Sequence, residues 1–184
     1  MRKYLSLLLS SGVILTLLLF SCSKSEIYEP LFASYINSMI LATITDSSGE
    51  DLLLNEAFID GVSIYLPLSK KEGPFKIEKI KNNEAENNYL LFNTDLPDIK
   101  NMKFNSDNTE AKGSSIVEIK INGRSTKLLC NYKYRTVKTE EVVYGNSSII
   151  IESVELNDKK VINSDSASKI TLHFVVEDNV LVLK

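Results

Sequence analysis

The chain has 184 residues, a formal net charge of −3 and charged residues of both signs interspersed along its length. This size suits one domain with a substantial core. An acidic chain with dispersed charge disfavours nucleic-acid binding, because that function depends on clustered Lys and Arg side chains that neutralise phosphates.

The first 22 residues have the order of features of a bacterial export signal. Arg2 and Lys3 give a positive start, a nearly uncharged apolar run covers residues 5–20, and Cys22 follows a small residue. The run is short of the about 20 apolar residues that a membrane-spanning helix requires, so a secretory signal is the preferred interpretation. An ordinary cleaved signal with a chance cysteine and an uncleaved apolar anchor are the alternatives.

Residues 19–22, Leu-Phe-Ser-Cys, resemble the lipobox of bacterial lipoproteins, in which a bulky apolar residue, a variable residue and a small residue precede cysteine. The resemblance implies cleavage before Cys22 and acylation of that cysteine. It also implies a lasting membrane anchor, since several acyl chains bind a bilayer far more tightly than one. Loss of Arg2 and Lys3 with the signal makes the mature chain more acidic.

The residues after the cysteine bear on location. In bacteria that sort their lipoproteins, an aspartate directly after the cysteine favours retention in the inner membrane. Ser23 occupies this position here, so the outer membrane is expected. Residues 23–26, Ser-Lys-Ser-Glu, resemble in part the export tags of surface lipoproteins of the Bacteroides type, which leaves the periplasm and the cell surface both open. The expected division of the chain is a signal peptide over 1–21, a lipidated tether over 22–35 and a single domain over 36–184.

Short segments with alternating apolar residues dominate the mature chain and predict strands. In the first half, strands are expected over residues 36–45, 61–66, 74–80, 89–94 and 99–104. The polar stretch 81–88 predicts a hairpin loop, and the polar stretch 105–113 predicts a flexible divider between two halves. Residues 45–53, with their Asp-x-x-Gly turn, resemble the opening segment of small Bacteroides-type lipoproteins of unknown function, which implies a β-sandwich.

Asn122-Gly123 is the clearest structural signal, because this dipeptide is typical of type I′ hairpin turns. A two-residue loop sets the register of the flanking strands, with expected pairs Ile121–Arg124, Ile119–Thr126, Val117–Leu128 and Glu118–Lys127. Apolar residues then share one face and opposite charges meet on the other. The inward face of the second strand continues through Cys130, Tyr132 and Tyr134.

Further strands are expected over 137–144, 148–156, 170–176 and 180–183. Asp178-Asn179 is expected to close the last hairpin, with pairs Val176–Leu181 and Phe174–Leu183. No segment after the signal keeps a period of 3.6 residues. Many short strands joined by Asn, Asp and Gly turns predict an all-β antiparallel sandwich or barrel, with an immunoglobulin-like β-sandwich as the first choice.

His173 is the only histidine, so any Ser–His–Asp or Cys–His catalytic device must include it. It falls inside a predicted strand, on the face with Thr171 and Val175, where an ordinary strand residue is expected. A zinc site lacks a second histidine. After acylation of Cys22 the remaining thiol is Cys130, which is expected to be a small buried residue, and no internal disulfide can form.

Two weaker site predictions concern loops. Asp46, Glu50 and Asp51 offer oxygen ligands for a weak calcium site, although they lack the EF-hand spacing and turn chemistry explains them without a metal. Residues 165–167, Asp-Ser-Ala, resemble the short O-glycosylation sequon of exported Bacteroides-type proteins, with Ser166 as the acceptor. A plain turn is the alternative there.

The expected function is a non-enzymatic binding or structural module, held at the membrane by its lipid, that contacts a protein or glycan partner and uses no cofactor. A glycan platform would need exposed aromatic side chains, and the candidates are Tyr65, Tyr89, Tyr132, Tyr134 and Tyr144. The alternative function is a small envelope hydrolase that uses a pair of acidic residues, whose carboxyl groups must converge in a pocket with separated pKa values.

Overall fold

The computed structural model describes residues 27–82, 85–136, 146–157, 159–163 and 169–184, with only the backbone described at 82 and 85. Cys22, Ser166 and the strand expected over 137–144 lie outside the described residues, so these stay predictions. The strands are β1 Tyr35–Asn37, β2 Met39–Thr45, β3 Val62–Leu66, β4 Lys71–Gly73, β5 Phe75–Asn82, β6 Ala85–Asn93, β7 Lys103–Phe104, β8 Glu110–Ile121, β9 Arg124–Thr136, β10 Ser147–Leu156, β11 Lys159–Ile162, β12 Ile170–Glu177 and β13 Val180–Leu183.

The strands form two sheets that pack face to face around one hydrophobic core, which confirms the predicted all-β sandwich. The larger sheet has the order β1-β10-β9-β8-β3-β4, with β11 beside β10 and β7 beside β8. The smaller sheet has the order β13-β12-β2-β6-β5. Most ladders are antiparallel as expected, but β1 pairs with β10 in parallel and so does β2 with β12.

Alternate side chains of both sheets fill the core, as the period of two along a strand requires. Its largest fully buried side chains include Tyr132, Phe92, Phe174, Ile40 and Leu128. Full burial of a large aliphatic or aromatic side chain contributes roughly 1.5–3 kcal/mol. Cys130 lies among these residues with no exposed surface, so its predicted burial is confirmed.

Both predicted hairpins have the expected register. β8 and β9 pair Ile121 with Arg124, Ile119 with Thr126, Val117 with Leu128 and Glu118 with Lys127. Asn122 and Gly123 have φ angles of 47° and 82°, and a type I′ turn needs positive φ at both central positions. The last hairpin pairs Val176 with Leu181 and Phe174 with Leu183.

Several element boundaries differ from the prediction. The loop predicted over 81–88 is too long at both ends, because β5 and β6 remain paired as far as residues 82 and 85. An ion pair lies across this hairpin, with Lys79 Nζ 2.7 Å from a carboxylate oxygen of Glu86. The flexible divider is shorter than 105–113, since β8 begins at Glu110.

The first strand and the segment after Asn55 also differ from the prediction. The first strand divides at Ser38, where the chain leaves the larger sheet as β1 and enters the smaller sheet as β2. A short helix, α1, spans Glu56–Asp60 and begins at the side chain of Asn55, which accepts a hydrogen bond from the Phe58 amide. Five residues are too few to establish a helical period in the sequence.

Part of the predicted tether belongs to the folded body. The Tyr28 hydroxyl donates to the Leu96 carbonyl at 2.7 Å, and the Leu31 amide donates to the Pro97 carbonyl at 3.2 Å. In return the Ile99 amide donates to the Glu29 carbonyl at 2.8 Å, and the Leu31 side chain is buried in the core. The tether predicted over 22–35 therefore lies on the sandwich from Tyr28 onward.

The two ends of the sandwich are distinct. We call the end formed by residues 27–34 and 94–104 the Tyr28 end. The opposite end carries the turns at 46–51, 122–123 and 178–179, and we call it the Asn122 end. There the Asn122 side-chain amide donates to Asn179 Oδ1 at 3.3 Å, which joins hairpin turns from the two sheets.

Candidate functional site

A polar groove of about 350 Å³ lies on the outer face of the eight-stranded sheet, toward the Tyr28 end. It is lined by Lys103, Lys112, Lys160, Glu152, Glu155 and Asn131, together with Asn101, Gly113 and Ser114. Its volume falls within the range of small-ligand sites, and its lining presents hydrogen-bond donors beside charged acceptors. This groove is the candidate functional site.

A β-bulge in β10 puts both glutamates on the groove face. The register between β10 and β9 shifts between Ile151 and Ser153. In a regular strand, residues three apart point to opposite faces, but here Ile151 and Val154 both lie in the core. The extra residue therefore turns Glu152 and Glu155 toward the same face.

Hydrogen bonds hold Glu155 in place. The Asn131 side-chain amide donates to Glu155 Oε1 at 2.9 Å and to the Ser153 hydroxyl at 3.1 Å. Lys160 Nζ lies 2.7 Å from the same Glu155 oxygen. The hydrogen bond from Lys160, with its charge and the Asn131 amide, lowers the pKa of Glu155 below its usual range, so the carboxylate is ionised at neutral pH.

A row of lysines crosses three strands at the groove. Lys103 is the direct cross-strand partner of Lys112, and Lys112 is that of Lys133. Like charges in such positions repel, so the row needs anions nearby. Lys112 Nζ lies 3.3 Å from Glu152 and Lys133 Nζ lies 3.7 Å from Glu110. Lys103 has no ion-pair partner within the described ranges, which leaves its charge available to a bound anion.

The acidic residues predicted as a calcium site accept hydrogen bonds within their own turn. Asp46 Oδ1 accepts hydrogen bonds from the Ser48 amide and hydroxyl, at 2.9 and 2.8 Å, and from the Glu50 amide at 2.8 Å. Asp51 accepts from the Leu53 amide at 2.9 Å. Across the described residues, no three His, Cys, Asp or Glu side chains are grouped to hold a metal ion. The geometry therefore gives the calcium prediction no support.

His173 lies inside β12, as expected, and its side chain is exposed on the outer face of the smaller sheet. Its Nδ1 is hydrogen-bonded to the Thr43 hydroxyl at 2.8 Å, and Thr43 is also its register partner on β2. This contact is a cross-strand pair on a flat face, far from the polar groove. It is the arrangement of an ordinary strand histidine.

The tyrosines proposed as a glycan platform do not come together. Tyr132 is in the core and Tyr89 is buried on the outer face of the smaller sheet. Tyr65 lies under Lys120, with Nζ 5.1 Å from the ring centroid, and Tyr134 packs edge-on against Phe104. Tyr144 lies outside the described ranges. The tyrosines described here are packing residues and form no shared surface.

A second groove, of about 230 Å³, lies at the edge of the smaller sheet between β2, β5 and β6. Met39, Pro74, Phe75, Leu91 and Phe92 line most of it. Orienting a small ligand requires several convergent polar groups, and this lining offers few. The polar groove is thus the better candidate for recognition.

Sequence reasoning missed the polar groove. Lys112 and Ser114 fell in or beside the stretch expected to be flexible, and Lys160 belongs to a strand that was not expected. The bulge could have been suspected from Ile149, Ile151, Val154 and Leu156, because a single alternation cannot put the first two and the last two in the same core.

Comparison with protein-family models, curated proteins and solved structures finds nothing that matches this chain. No helix among the described residues is long and apolar enough to cross a bilayer. The polar groove and the export signal predicted over the first 22 residues are therefore the two features that bear on function.

Proposed function

We propose that the protein is a cell-envelope lipoprotein, anchored in the outer membrane through acylated Cys22, whose β-sandwich binds an acidic glycan in the polar groove and catalyses no reaction. The observation that carries the binding proposal is the groove itself, where Lys103 lies beside two positioned carboxylates. Sugar hydroxyls both donate and accept hydrogen bonds, so they suit a lining of lysine, asparagine and glutamate side chains. An acidic sugar also supplies the anion that Lys103 lacks.

The size and polarity of the groove favour a glycan over a protein partner. A stable protein interface buries about 800 Å² on each side around an apolar centre, whereas this concavity is small and polar. The groove has no aromatic platform in its lining, so binding depends on hydrogen bonds and charge. We therefore expect a weak site with Kd of about 1 mM, which corresponds to about −4 kcal/mol.

The alternative function, an acid-pair hydrolase, requires one carboxyl group that is protonated and one that is ionised. Glu152 and Glu155 share the groove, but each is ion-paired with a lysine. The pKa of Glu155 is lowered, which makes it a poor proton donor at neutral pH. These contacts support binding better than acid catalysis.

A sugar titration tests the binding proposal. The purified lipidated protein is titrated with a disaccharide that carries one uronic acid, and with the same disaccharide after reduction of its carboxyl group. We expect the acidic form to bind more tightly, and Lys103→Ser to weaken it about tenfold while leaving the reduced form unaffected. Lys127→Ser is the matched control, because Lys127 lies on the same outer face, paired with Glu118, outside the groove.

Three results would contradict the glycan proposal. Equal binding of both disaccharides would show that Lys103 does not recognise the sugar carboxylate. Capture of an envelope protein by a photo-crosslinker placed at residue 103, with no sugar binding, would show that the groove recognises protein. Release of reducing ends that is lost in Glu155→Gln would establish the hydrolase instead.

The anchor is tested separately. Cys22→Ala should accumulate as an uncleaved precursor without lipid, whereas normal processing of that variant would rule out lipidation at this position. The intact mass of the mature protein reports both modifications at once. A mass equal to polypeptide plus lipid alone would exclude a glycan on Ser166.

A further inference from the structure

Strongly exposed apolar side chains gather at the Tyr28 end. Ile27 and Phe32 are each 71% exposed, and Ile99 is 41% exposed. Hydrogen bonds hold the two segments that carry them together: the Ile99 amide donates to the Glu29 carbonyl, the Leu31 amide to the Pro97 carbonyl, and Lys100 Nζ to the Ile27 carbonyl at 2.9 Å. Single exposed apolar residues are normal on soluble proteins, but several at one end indicate a contact surface.

The length of chain before this end limits what can cover it. From Cys22 to Ile27 there are five residue steps, which span at most about 18 Å when fully extended. The hydrogen bonds of residues 28–31 to residues 96–99 prevent the tether from lengthening further. By comparison, the 12 residues of β8 extend about 40 Å along the sandwich. A lipid on Cys22 therefore keeps the Tyr28 end close to the bilayer.

From these two observations we propose that the Tyr28 end rests directly on the membrane, with Ile27 and Phe32 inserted among the lipid headgroups. This inference rests on the proposed acylation of Cys22. The occupant of the apolar surface is a lipid bilayer, because no other partner is brought to it by so short a tether. Acyl anchor and inserted side chains then act together, and the sandwich is held at a fixed orientation.

The absence of tryptophan from the chain allows a direct test. Phe32→Trp introduces one indole fluorophore at the Tyr28 end, and Leu54→Trp introduces one at the Asn122 end. Leu54 is a matched control since it is 72% exposed. Each full-length lipidated variant is reconstituted into vesicles of phosphatidylethanolamine and phosphatidylglycerol, with and without brominated acyl chains. We expect brominated lipid to quench the indole at position 32 by about half and the indole at position 54 hardly at all.

The results of the quenching experiment distinguish membrane docking of the Tyr28 end from lipid anchoring at Cys22. If the lipidated protein floats with the vesicles but brominated lipid quenches neither indole, membrane docking of the Tyr28 end is overturned and the lipid anchor stands. Protein without lipid in its intact mass would overturn both. If the indole at position 32 has blue-shifted emission that brominated lipid does not quench, the surface is covered by protein, either a second copy or another chain. That result would also overturn the assignment of a lipid bilayer to this surface.

Discussion

The hydroxyl groups of Tyr132 and Thr94 are hydrogen-bonded to each other across the interior of the sandwich. Tyr132 belongs to β9 of the larger sheet, and Thr94 directly follows β6 of the smaller sheet. Each hydroxyl also has a carbonyl acceptor, because the Tyr132 hydroxyl lies 3.2 Å from the Asp95 carbonyl oxygen and the Thr94 hydroxyl 3.4 Å from the Ser38 carbonyl oxygen. Burial raises the pKa of Tyr132 above its usual range, which keeps this proton in place. The contact fastens the two sheets together at the Tyr28 end.

The first prediction concerns this contact. Tyr132→Phe should lower the free energy of unfolding by about 1–3 kcal/mol, because it leaves the buried Thr94 hydroxyl and Asp95 carbonyl with fewer partners. Thr94→Val should cost a similar amount. Denaturant titration of the double variant should show a loss smaller than the sum of the two. Strictly additive losses would mean that the two hydroxyl groups contribute to the free energy of unfolding independently of each other.

The second prediction concerns the Cys130 thiol, whose pKa burial raises to about 12. The reactive thiolate is therefore scarce at about pH 8, and burial denies reagents access. Labelling of the native protein with a thiol reagent should proceed only as fast as the sandwich unfolds. Ile116→Cys, at an exposed position on β8, should label immediately. Rapid labelling of Cys130 in the unaltered protein would contradict the buried position.

The third prediction concerns Asp46, whose pKa is lowered by hydrogen bonds from the Ser48 side chain and the Glu50 amide. A lowered folded-state pKa means that stabilisation is present above the unfolded value of about 4 and is lost as the pH falls through the folded value. Asp46→Ala should therefore lower the melting temperature at neutral pH, with a difference that shrinks in acid. Glu72→Ala, at an exposed position on β4, is the control. A constant difference across pH would refute the role of the charge.

The fourth prediction concerns Gly123, whose φ of 82° is unfavourable for any residue with a Cβ. Space is available, because a Cβ there would meet nothing within 4 Å, so the cost is purely conformational. Gly123→Ala should destabilise the protein by about 1–2 kcal/mol. Ser106→Ala, in the polar turn before β8, should change stability by less than about 0.5 kcal/mol. Equal effects of the two substitutions would show that the hairpin turn is not strained.

The two hairpins show what could be predicted from the sequence. At Asn122-Gly123 the turn chemistry and the alternation of the flanking strands specify the same register, so the pairing of Ile119 with Thr126 followed from local information. The same agreement held at Asp178-Asn179. Two-residue turns fix the pairing of the strands on either side. The sandwich itself follows from many such strands with one apolar face.

The features that sequence analysis missed depend on contacts between distant residues. The parallel pairing of β1 with β10 joins residues more than 100 positions apart and leaves no local pattern. The segment from Tyr28 to Leu31 looks polar and Pro-containing, and only the carbonyl groups of residues 96–97 reveal why it is ordered. The groove likewise needs a bulge, whose effect on Glu155 appears only once its neighbours on β9 are known.

The parallel pairing of β1 with β10 also determines how the sandwich carries mechanical load. A pull applied through the N-terminal segment acts along β1, so the bonds between Ile36 and its neighbours on β10 resist sliding together. Before that force reaches β1, it must strip residues 28–31 from residues 96–99. A pull through the N-terminal segment must thus break two sets of hydrogen bonds one after the other, and the hydrophobic interior is the last part to yield.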